Sequence, residues 1–114
     1  MYQRITFAKL IPGRGPELGE FFEREIAPQQ RKVLGNWREL LLEDDEYPGE
    51  VRYFSCWHEK EHADVYEQVG GFERTAALMR PFFAEDPVVH HYDTFGYSRP
   101  LVGGQVDPRE TVAG

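Results

Sequence analysis

The sequence is poor in positive charge, in cysteine and in long apolar runs, and each shortage excludes a class of protein. Its 114 residues carry 13 Lys and Arg against 20 Asp and Glu, for a formal net charge of −7. Nucleic acids and anionic membranes bind basic surfaces, so we expect neither as a partner. No apolar run is long enough to span a bilayer, and the first residues lack a signal-peptide pattern.

The chain has one cysteine, Cys56, which excludes a framework of internal disulfides. A single thiol within a predicted strand is typical of a small buried side chain in a reducing compartment, so we expect a cytoplasmic protein. The acidic run at residues 43–46 lacks the glycine and the distal glutamate of a calcium loop. We expect no metal and no cofactor.

Residues 58–62 read H-E-K-E-H, which matches the zinc-binding motif H-E-x-x-H. In zinc proteases this spacing places two histidines on one face of a helix. Here His58 falls at the junction of a predicted strand and helix, and the chain is short for that class. We interpret the string as a chance match.

Aromatic residues are abundant, with eight Phe, six Tyr and two Trp. A chain of this length builds one domain with a single core. So many rings in a small domain indicate either a tightly packed core or an apolar pocket.

Periodicity predicts an α+β fold with the order strand, helix, strand, strand, helix, strand. This order is the ferredoxin-like split βαβ arrangement (βαββαβ), a four-stranded antiparallel sheet with two helices on one face. Pro28 is expected to kink the first helix, and Gly70 and Gly71 to interrupt the second. The predicted strands span residues 2–11, 36–43, 51–57 and 88–97, and the predicted helices span 16–34, 59–69 and 72–83.

The third strand predicts a homodimer. Val51, Tyr53, Ser55 and Trp57 alternate with Arg52, Phe54 and Cys56, so bulky groups point to both faces of the sheet. Helices cover only one face, and a second copy of the chain is the natural cover for the other. The domain is expected at residues 1–97. Residues 98–114 are expected to form an arm or a disordered tail.

Several short patterns occur together in a fixed order. They are PGRGPELGEFF before the first helix, the kink Glu25-Ile26-Ala27-Pro28, Trp57 followed by an acidic turn and Ala63, Phe72 after the glycines, and Arg80-Pro81-Phe82-Phe83. In this order and spacing, residues 2–97 resemble the antibiotic biosynthesis monooxygenase family of dimeric α+β barrels.

The resemblance implies a cofactor-independent monooxygenase acting on an aromatic polyketide, anthrone or quinol-like substrate together with O₂. Two alternatives stay open, because the family and its relatives are functionally mixed. One is a polyketide cyclase of the same fold, and the other is a haem-binding or non-catalytic barrel protein. The haem-degrading branch pairs its Trp with an Asn and a His, and this chain has Thr6 and Tyr66 at those positions. These two departures argue against haem degradation, although Tyr can ligate ferric haem.

The candidate catalytic residues are Trp57, Tyr66, His62 and His90. Trp57 is either a core ring or the wall of a flat aromatic pocket. The hydroxyl of Tyr66 could donate a proton or a hydrogen bond, and His62 or His90 could act as a general base. Arg4 and Arg80 are either solvated or partners of a substrate anion. The candidate substrate-binding residues are Thr6, Ser55, Tyr53, Phe22, Phe72 and Arg80.

Overall fold

Within residues 1–111, which this computed structural model describes, four strands form one antiparallel sheet in the order β2-β3-β1-β4. The predicted fold class is therefore confirmed. The strands are β1 (Tyr2–Lys9), β2 (Asn36–Glu43), β3 (Glu50–Trp57) and β4 (Val88–Asp93). The helices are α1 (Gly15–Phe21), α2 (Ala27–Gln30), α3 (Lys60–Gln68), α4 (Gly71–Met79) and α5 (Pro108–Thr111).

The first helical stretch is kinked next to Pro28, as predicted, but through a π-helical segment, Phe22–Ile26, that joins α1 to α2. The N–H of Ala27 donates to the carbonyl of Phe22, five residues back. Pro28 has no N–H to offer, and the wider turn just before it accommodates that loss. The helix ends at Gln30 rather than at residue 34, because tight turns follow it up to Gly35, which has a φ of +88°.

The second helical stretch is divided at the two glycines, as predicted. Gly70 adopts a φ of +81°, which L-residues rarely adopt, and α4 begins at Gly71. A β-carbon at Gly71 would overlap the ring of Tyr66, so the missing side chain lets α3 and α4 approach closely. A short 3₁₀ turn, Arg80–Phe82, then leads to β4.

The core lies between the sheet and the helices in two clusters. The larger one contains Ala8, Leu10, Leu18, Phe22, Ile26, Val51, Tyr53, Met79, Phe82 and Phe83. The smaller one contains Tyr2, Trp57, Ala63 and Phe72. Among the residues whose burial is described, four polar ones are buried as well, namely Thr6, Gln30, Ser55 and Thr75. Buried polar groups need hydrogen-bond partners, so we expect these four residues to form hydrogen bonds in the space under the helices.

The chain beyond β4 has little regular structure. β4 ends at Asp93 rather than at residue 97, and residues 94–107 contain neither helix nor strand. Phe95 and Val102 are fully exposed there. The prediction of an arm or tail covers residues 98–114, of which 112–114 lie outside the described residues. Among residues 1–111, no helix is long and apolar enough to cross a membrane.

Candidate functional site

A carboxylate, Glu39 on β2, lies half-buried on the helix-covered side of the sheet. It accepts hydrogen bonds from the hydroxyl of Tyr53 and from Nδ2 of Asn36, the latter at 2.9 Å. Burial raises the pKa of Glu39, while hydrogen bonds from Tyr53, Asn36 and Ser55 work to lower it. The hydrogen bonds from Tyr53 and Asn36 hold this carboxylate in place under the helices.

Tyr53 connects this carboxylate to the first helical stretch. Its hydroxyl donates to Glu39 and accepts from Nε2 of Gln30 at 3.3 Å. Burial, followed by the charge of Glu39, raises the pKa of Tyr53 well above its ordinary value. The phenol therefore stays protonated and keeps donating to Glu39.

Gln30 carries the network across to the second helical stretch. Its side chain is almost completely buried, and its Nε2 also donates to Oγ1 of Thr75 at 3.1 Å. Thr75 donates to the carbonyl of Gly71 at 3.1 Å, and the hydroxyl of Tyr66 lies 3.4 Å from Thr75 Oγ1. The polar chain thus runs from Glu39 on the sheet to Tyr66 on α3.

A cavity of about 280 Å³ lies between the two helical stretches, directly above this chain. Gln30, Tyr66 and Thr75 are among the residues that line it, and Oε1 of Gln30 is buried without a hydrogen-bond partner. The remaining lining residues are Glu25, Ile26, Gln29, Val33, Arg74 and Leu78.

Trp57 lies behind Tyr66 rather than on the cavity. Its side chain is fully buried, and its indole N–H donates to Oγ of Ser55 at 2.9 Å. Its ring centroid is 5.4 Å from that of Tyr66 and 5.7 Å from that of Phe72. These rings touch, so Trp57 positions Tyr66 from within the core.

Five of the predicted substrate-binding residues, from the sheet and from the helices, lie beneath the residues that line the cavity. Thr6 pairs across the strands with Tyr53, and the ring of Phe22 meets Tyr53 edge-on at 5.8 Å. Phe72 lies edge-on to Tyr66 at 4.8 Å. Of the ten predicted site residues, Tyr66 is the one that lines the cavity; Thr6, Ser55, Tyr53, Phe22, Trp57 and Phe72 form the layer that supports it.

Three predicted site residues lie elsewhere. His90 is on the opposite face of the sheet, where its ring centroid is 5.5 Å from that of Phe7. Arg80 is exposed and donates to Asp86 at 2.9 Å. His62 on α3 packs against Gly35. None of the three lines the cavity.

Arg4 is partly buried rather than freely solvated. Its guanidinium lies 4.2 Å from the ring centroid of Phe72, and its buried Nε has no hydrogen-bond partner. Burial lowers its pKa, and the charge of Glu39 opposes that shift. A cation thus shares the buried layer with the carboxylate.

The residues that the sequence reasoning missed are Glu39, Gln30 and Thr75. The feature of the sequence that could have identified Gln30 and Thr75 is a polar residue at a helical position that faces the core. Gln30 falls four residues after Ile26 on the buried side of the helical stretch, and Thr75 falls between the buried Phe72 and Met79. Polar side chains at core positions identify networks of this kind.

The described residues contain no group of three His, Cys, Asp or Glu side chains that could hold a metal ion. Of the two residues considered for haem, the hydroxyl of Tyr66 contacts Thr75 and His62 packs against Gly35. Burial raises the pKa of Cys56 to about 11, so its thiol stays protonated.

Together, the sheet order, the π-kinked first helix and the covered sheet face define a ferredoxin-like α+β protein with a cavity between its helices. Solved structures provisionally named antibiotic biosynthesis monooxygenases share this fold. One from Nitrosomonas europaea is 17% identical over 84% of this chain and all of its own, with a TM-score of 0.67. One from Bordetella bronchiseptica is 23% identical over 82% of this chain and 95% of its own, with a TM-score of 0.68.

A third, from Deinococcus radiodurans, is 16% identical over 90% of this chain and all of its own, with a TM-score of 0.68. These similarities confirm the resemblance to the antibiotic biosynthesis monooxygenase family at the level of the fold. No protein-family profile matches the sequence, and comparison with curated proteins gives no significant match.

Proposed function

We propose that the protein is a cofactor-independent monooxygenase acting on an aromatic polyketide, anthrone or quinol-like substrate. The observation that carries this proposal is the cavity of about 280 Å³ between the helices, which is lined by apolar side chains together with the hydroxyl-bearing residues Tyr66 and Thr75. Ile26, Val33 and Leu78 line it together with the ring of Tyr66. Such a lining suits a flat aromatic molecule that carries a hydroxyl group.

The reaction that fits this substrate class needs only the substrate and O₂. Loss of a proton gives a phenolate, enolate or carbanion, which passes one electron to O₂; the resulting radicals combine to a peroxide. Elimination of water leaves one oxygen atom in the product as a new carbonyl. An anthrone and O₂ thus give an anthraquinone and water, and the substrate supplies the electrons. The protein contributes orientation, exclusion of water and proton transfer.

Tyr66 is the residue best placed to act on the substrate. Since Thr75 donates its own proton to Gly71, the hydroxyl of Tyr66 is the donor toward Thr75 and can turn that proton to a substrate oxygen. Glu25 is the carboxylate among the residues that line the cavity, and we assign it as the proton acceptor. Neither His62 nor His90 lines the cavity. Their role as general base stays a prediction that the geometry of this cavity does not support.

The proposal predicts that the purified protein consumes O₂ with an anthrone or a dihydroquinone, without added metal or flavin. Tyr66→Phe should lower kcat about 100-fold, the range typical of a lost proton donor. Tyr47→Phe is the matched control, because Tyr47 is exposed and far from the cavity in the β2–β3 loop; it should leave the rate unchanged. An oxygen electrode and product analysis measure both.

Three other outcomes of these experiments would each lead to a different conclusion about the function. Absence of any rate above the uncatalysed background across a panel of such substrates refutes the proposal. Product formation under strict anaerobiosis replaces it with the cyclase alternative. A Soret shift on titration with haem, lost in Tyr66→Phe, replaces it with haem binding.

We further propose a homodimer formed through the uncovered face of the sheet. Leu40, Phe54 and Ile5 lie side by side on that face, because they are register partners across β2, β3 and β1. Leu42 and Val88 flank them and are about half exposed. An apolar sheet face of this kind is typical of an interface with a second copy. A cytoplasmic location stays a prediction, supported by the single buried thiol.

A further inference from the structure

A second cavity, of about 520 Å³, lies at the end of the sheet where β3 ends and β1 begins. We propose that it is a binding site for small aromatic carboxylates, separate from the cavity between the helices. Its walls combine three rings with two guanidinium groups; these residues are Trp37, His58, Tyr97, Arg38 and Arg99. Binding there does not require the proposed function.

One wall comes from residues 94–100, which we call the crossing segment. The backbone N–H of Thr94 donates to the carbonyl of Met1 at 2.9 Å, directly after β4 ends. Tyr97 and Arg99 then line the cavity together with residues of β2, at the opposite edge of the sheet. The crossing segment thus passes the end of the sheet and bounds the space there.

The opposite wall is aromatic, because a β-bulge at the start of β2 places Trp37 outside the strand register. The pairing of β2 with β3 shifts between Asn36 and Arg38, so Trp37 is the extra residue. Its ring centroid lies 6.1 Å from that of His58, whose backbone N–H donates to the carbonyl of Gly35 at 2.9 Å. Trp37 is nevertheless 40% exposed, so a flat ligand has a ring surface on which to stack.

The charges on the walls favour an anion. Arg38 and Arg99 supply two cations, and within residues 1–111 neither forms an ion pair. Glu59 is the carboxylate among the lining residues, and it is paired with neither arginine. Two cations against one anion leave an excess of one positive charge here, in a chain whose net charge is −7. An anionic ligand is therefore attracted to this end of the molecule.

The rings and the guanidinium groups together select the ligand class. A guanidinium group matches a carboxylate with two parallel N–H donors, and it also stacks on aromatic faces. An aromatic carboxylate can therefore stack on Trp37 while its charge lies near Arg38 and Arg99. The volume is within the range of roughly 300–1,000 Å³ that is typical of small-molecule sites. The cavity lies beyond the last register pair of β1 and β3, away from the centre of the proposed dimer face at Phe54.

The test is calorimetric titration of the full chain at neutral pH with three probes: 2-naphthoate, 2-naphthalenemethanol and cyclohexanecarboxylate. The wild-type protein should bind 2-naphthoate with a Kd below about 1 mM. Each of the other two probes should bind about 10-fold more weakly, because the alcohol lacks the charge and the aliphatic acid lacks the aromatic ring.

Substitutions of the charged wall residues test the electrostatic part. Arg38→Gln and Arg99→Gln should each raise the Kd of 2-naphthoate about 3-fold, and together about 10-fold, as expected for exposed charge pairs. Glu59→Gln should lower it about 2-fold, because the opposing charge is removed. Arg31→Gln is the matched control, since Arg31 is an exposed arginine directly after α2 and outside this cavity; it should leave the Kd unchanged.

The two tryptophans locate the bound probe in the wild-type protein. Each gives one indole N–H signal in a ¹H–¹⁵N spectrum, and Trp37→Phe identifies which signal is which. Addition of 2-naphthoate should shift the signal of Trp37 and leave that of Trp57 in place, because Trp57 is buried behind Tyr66. A shift at Trp57 without one at Trp37 places the probe between the helices and overturns the proposal.

Three further results overturn it: no saturable binding of 2-naphthoate up to its solubility limit, equal Kd values for 2-naphthoate and 2-naphthalenemethanol, or equal effects of Arg31→Gln and Arg38→Gln. These measurements involve no O₂ and no turnover, so they are independent of the monooxygenase proposal. An inactive protein that binds 2-naphthoate beside Trp37 refutes the proposed function and keeps this site.

Discussion

At the scale of single residues, Trp57 lies in the core directly behind Tyr66. Its indole N–H donates to Ser55, and its ring is enclosed by Tyr66 and Phe72. The residue keeps Tyr66 against the cavity without touching the cavity itself. We therefore expect it to contribute to stability and to the orientation of its neighbour, and its candidate catalytic role stays a prediction.

We predict that Trp57→Phe lowers the free energy of unfolding by about 1–3 kcal/mol. The smaller ring leaves a gap, and Ser55 loses its donor in a fully buried position. Trp37→Phe is the matched control, because Trp37 is 40% exposed; its effect should stay below about 0.5 kcal/mol. Urea denaturation measures both, and equal stability of the two variants would contradict this role.

At the scale of elements, the turn from α2 into β2 determines where α3 packs. Gly35 has a φ of +88°, and its carbonyl accepts the backbone N–H of His58 at 2.9 Å. The side chain of His62 occupies the space where a β-carbon of Gly35 would be. The absence of a side chain at Gly35 thus allows α3 to approach the turn.

Gly35→Ala should therefore destabilise the fold more than Gly13→Ala. Both glycines have a φ near +85°, so both substitutions incur backbone strain of about 1 kcal/mol. Only at Gly35 does the new methyl group also overlap His62, whereas Gly13 faces open space. Thermal or urea unfolding should give Gly35→Ala an additional loss of about 1–3 kcal/mol. Equal losses would show that His62 moves away freely.

The kink in the first helical stretch is the element that opens the cavity. The π-helical segment Phe22–Ile26 and α2 contribute Glu25, Ile26 and Gln30 to one wall. Pro28 predicts a break in the helix from local chemistry alone. The form of the break and the cavity beside it depend on α3 and α4, which supply the other wall.

At the scale of the whole molecule, one face of the sheet is not covered by the helices of the same chain. Phe54 is at its centre, between Leu40 and Ile5 in the register of β2, β3 and β1. The helices cover only the other face. In the proposed dimer this face packs against the same face of a second copy of the chain.

Sedimentation equilibrium should accordingly give twice the mass of one chain, and Phe54→Glu should give the mass of one. A charge at the centre of an apolar interface stays unpaired in the dimer, which weakens association by several kcal/mol. Val65→Glu is the control, because Val65 is 57% exposed on α3 and should remain dimeric. A wild-type monomer at high micromolar concentration would refute the interface.

The sequence by itself determined the order of the elements, the break before Pro28 and the interruption at Gly70. These follow from periodicity and from the backbone chemistry of proline and glycine, which act over a few residues. It also determined that Val51 and Tyr53 share a face of β3. The resemblance of residues 2–97 to the monooxygenase family was drawn from short patterns in order, and the fold confirms it.

Only the tertiary structure decided which groups meet. Gln30 and Thr75 are 45 residues apart and join Tyr53 in one network. Alternation in β1 cannot say which face the helices cover; they cover Thr6 and leave Ile5 on the open side. Whether a polar side chain is solvated, paired or left as a free acceptor depends on what packs against it, and long-range packing alone determines that.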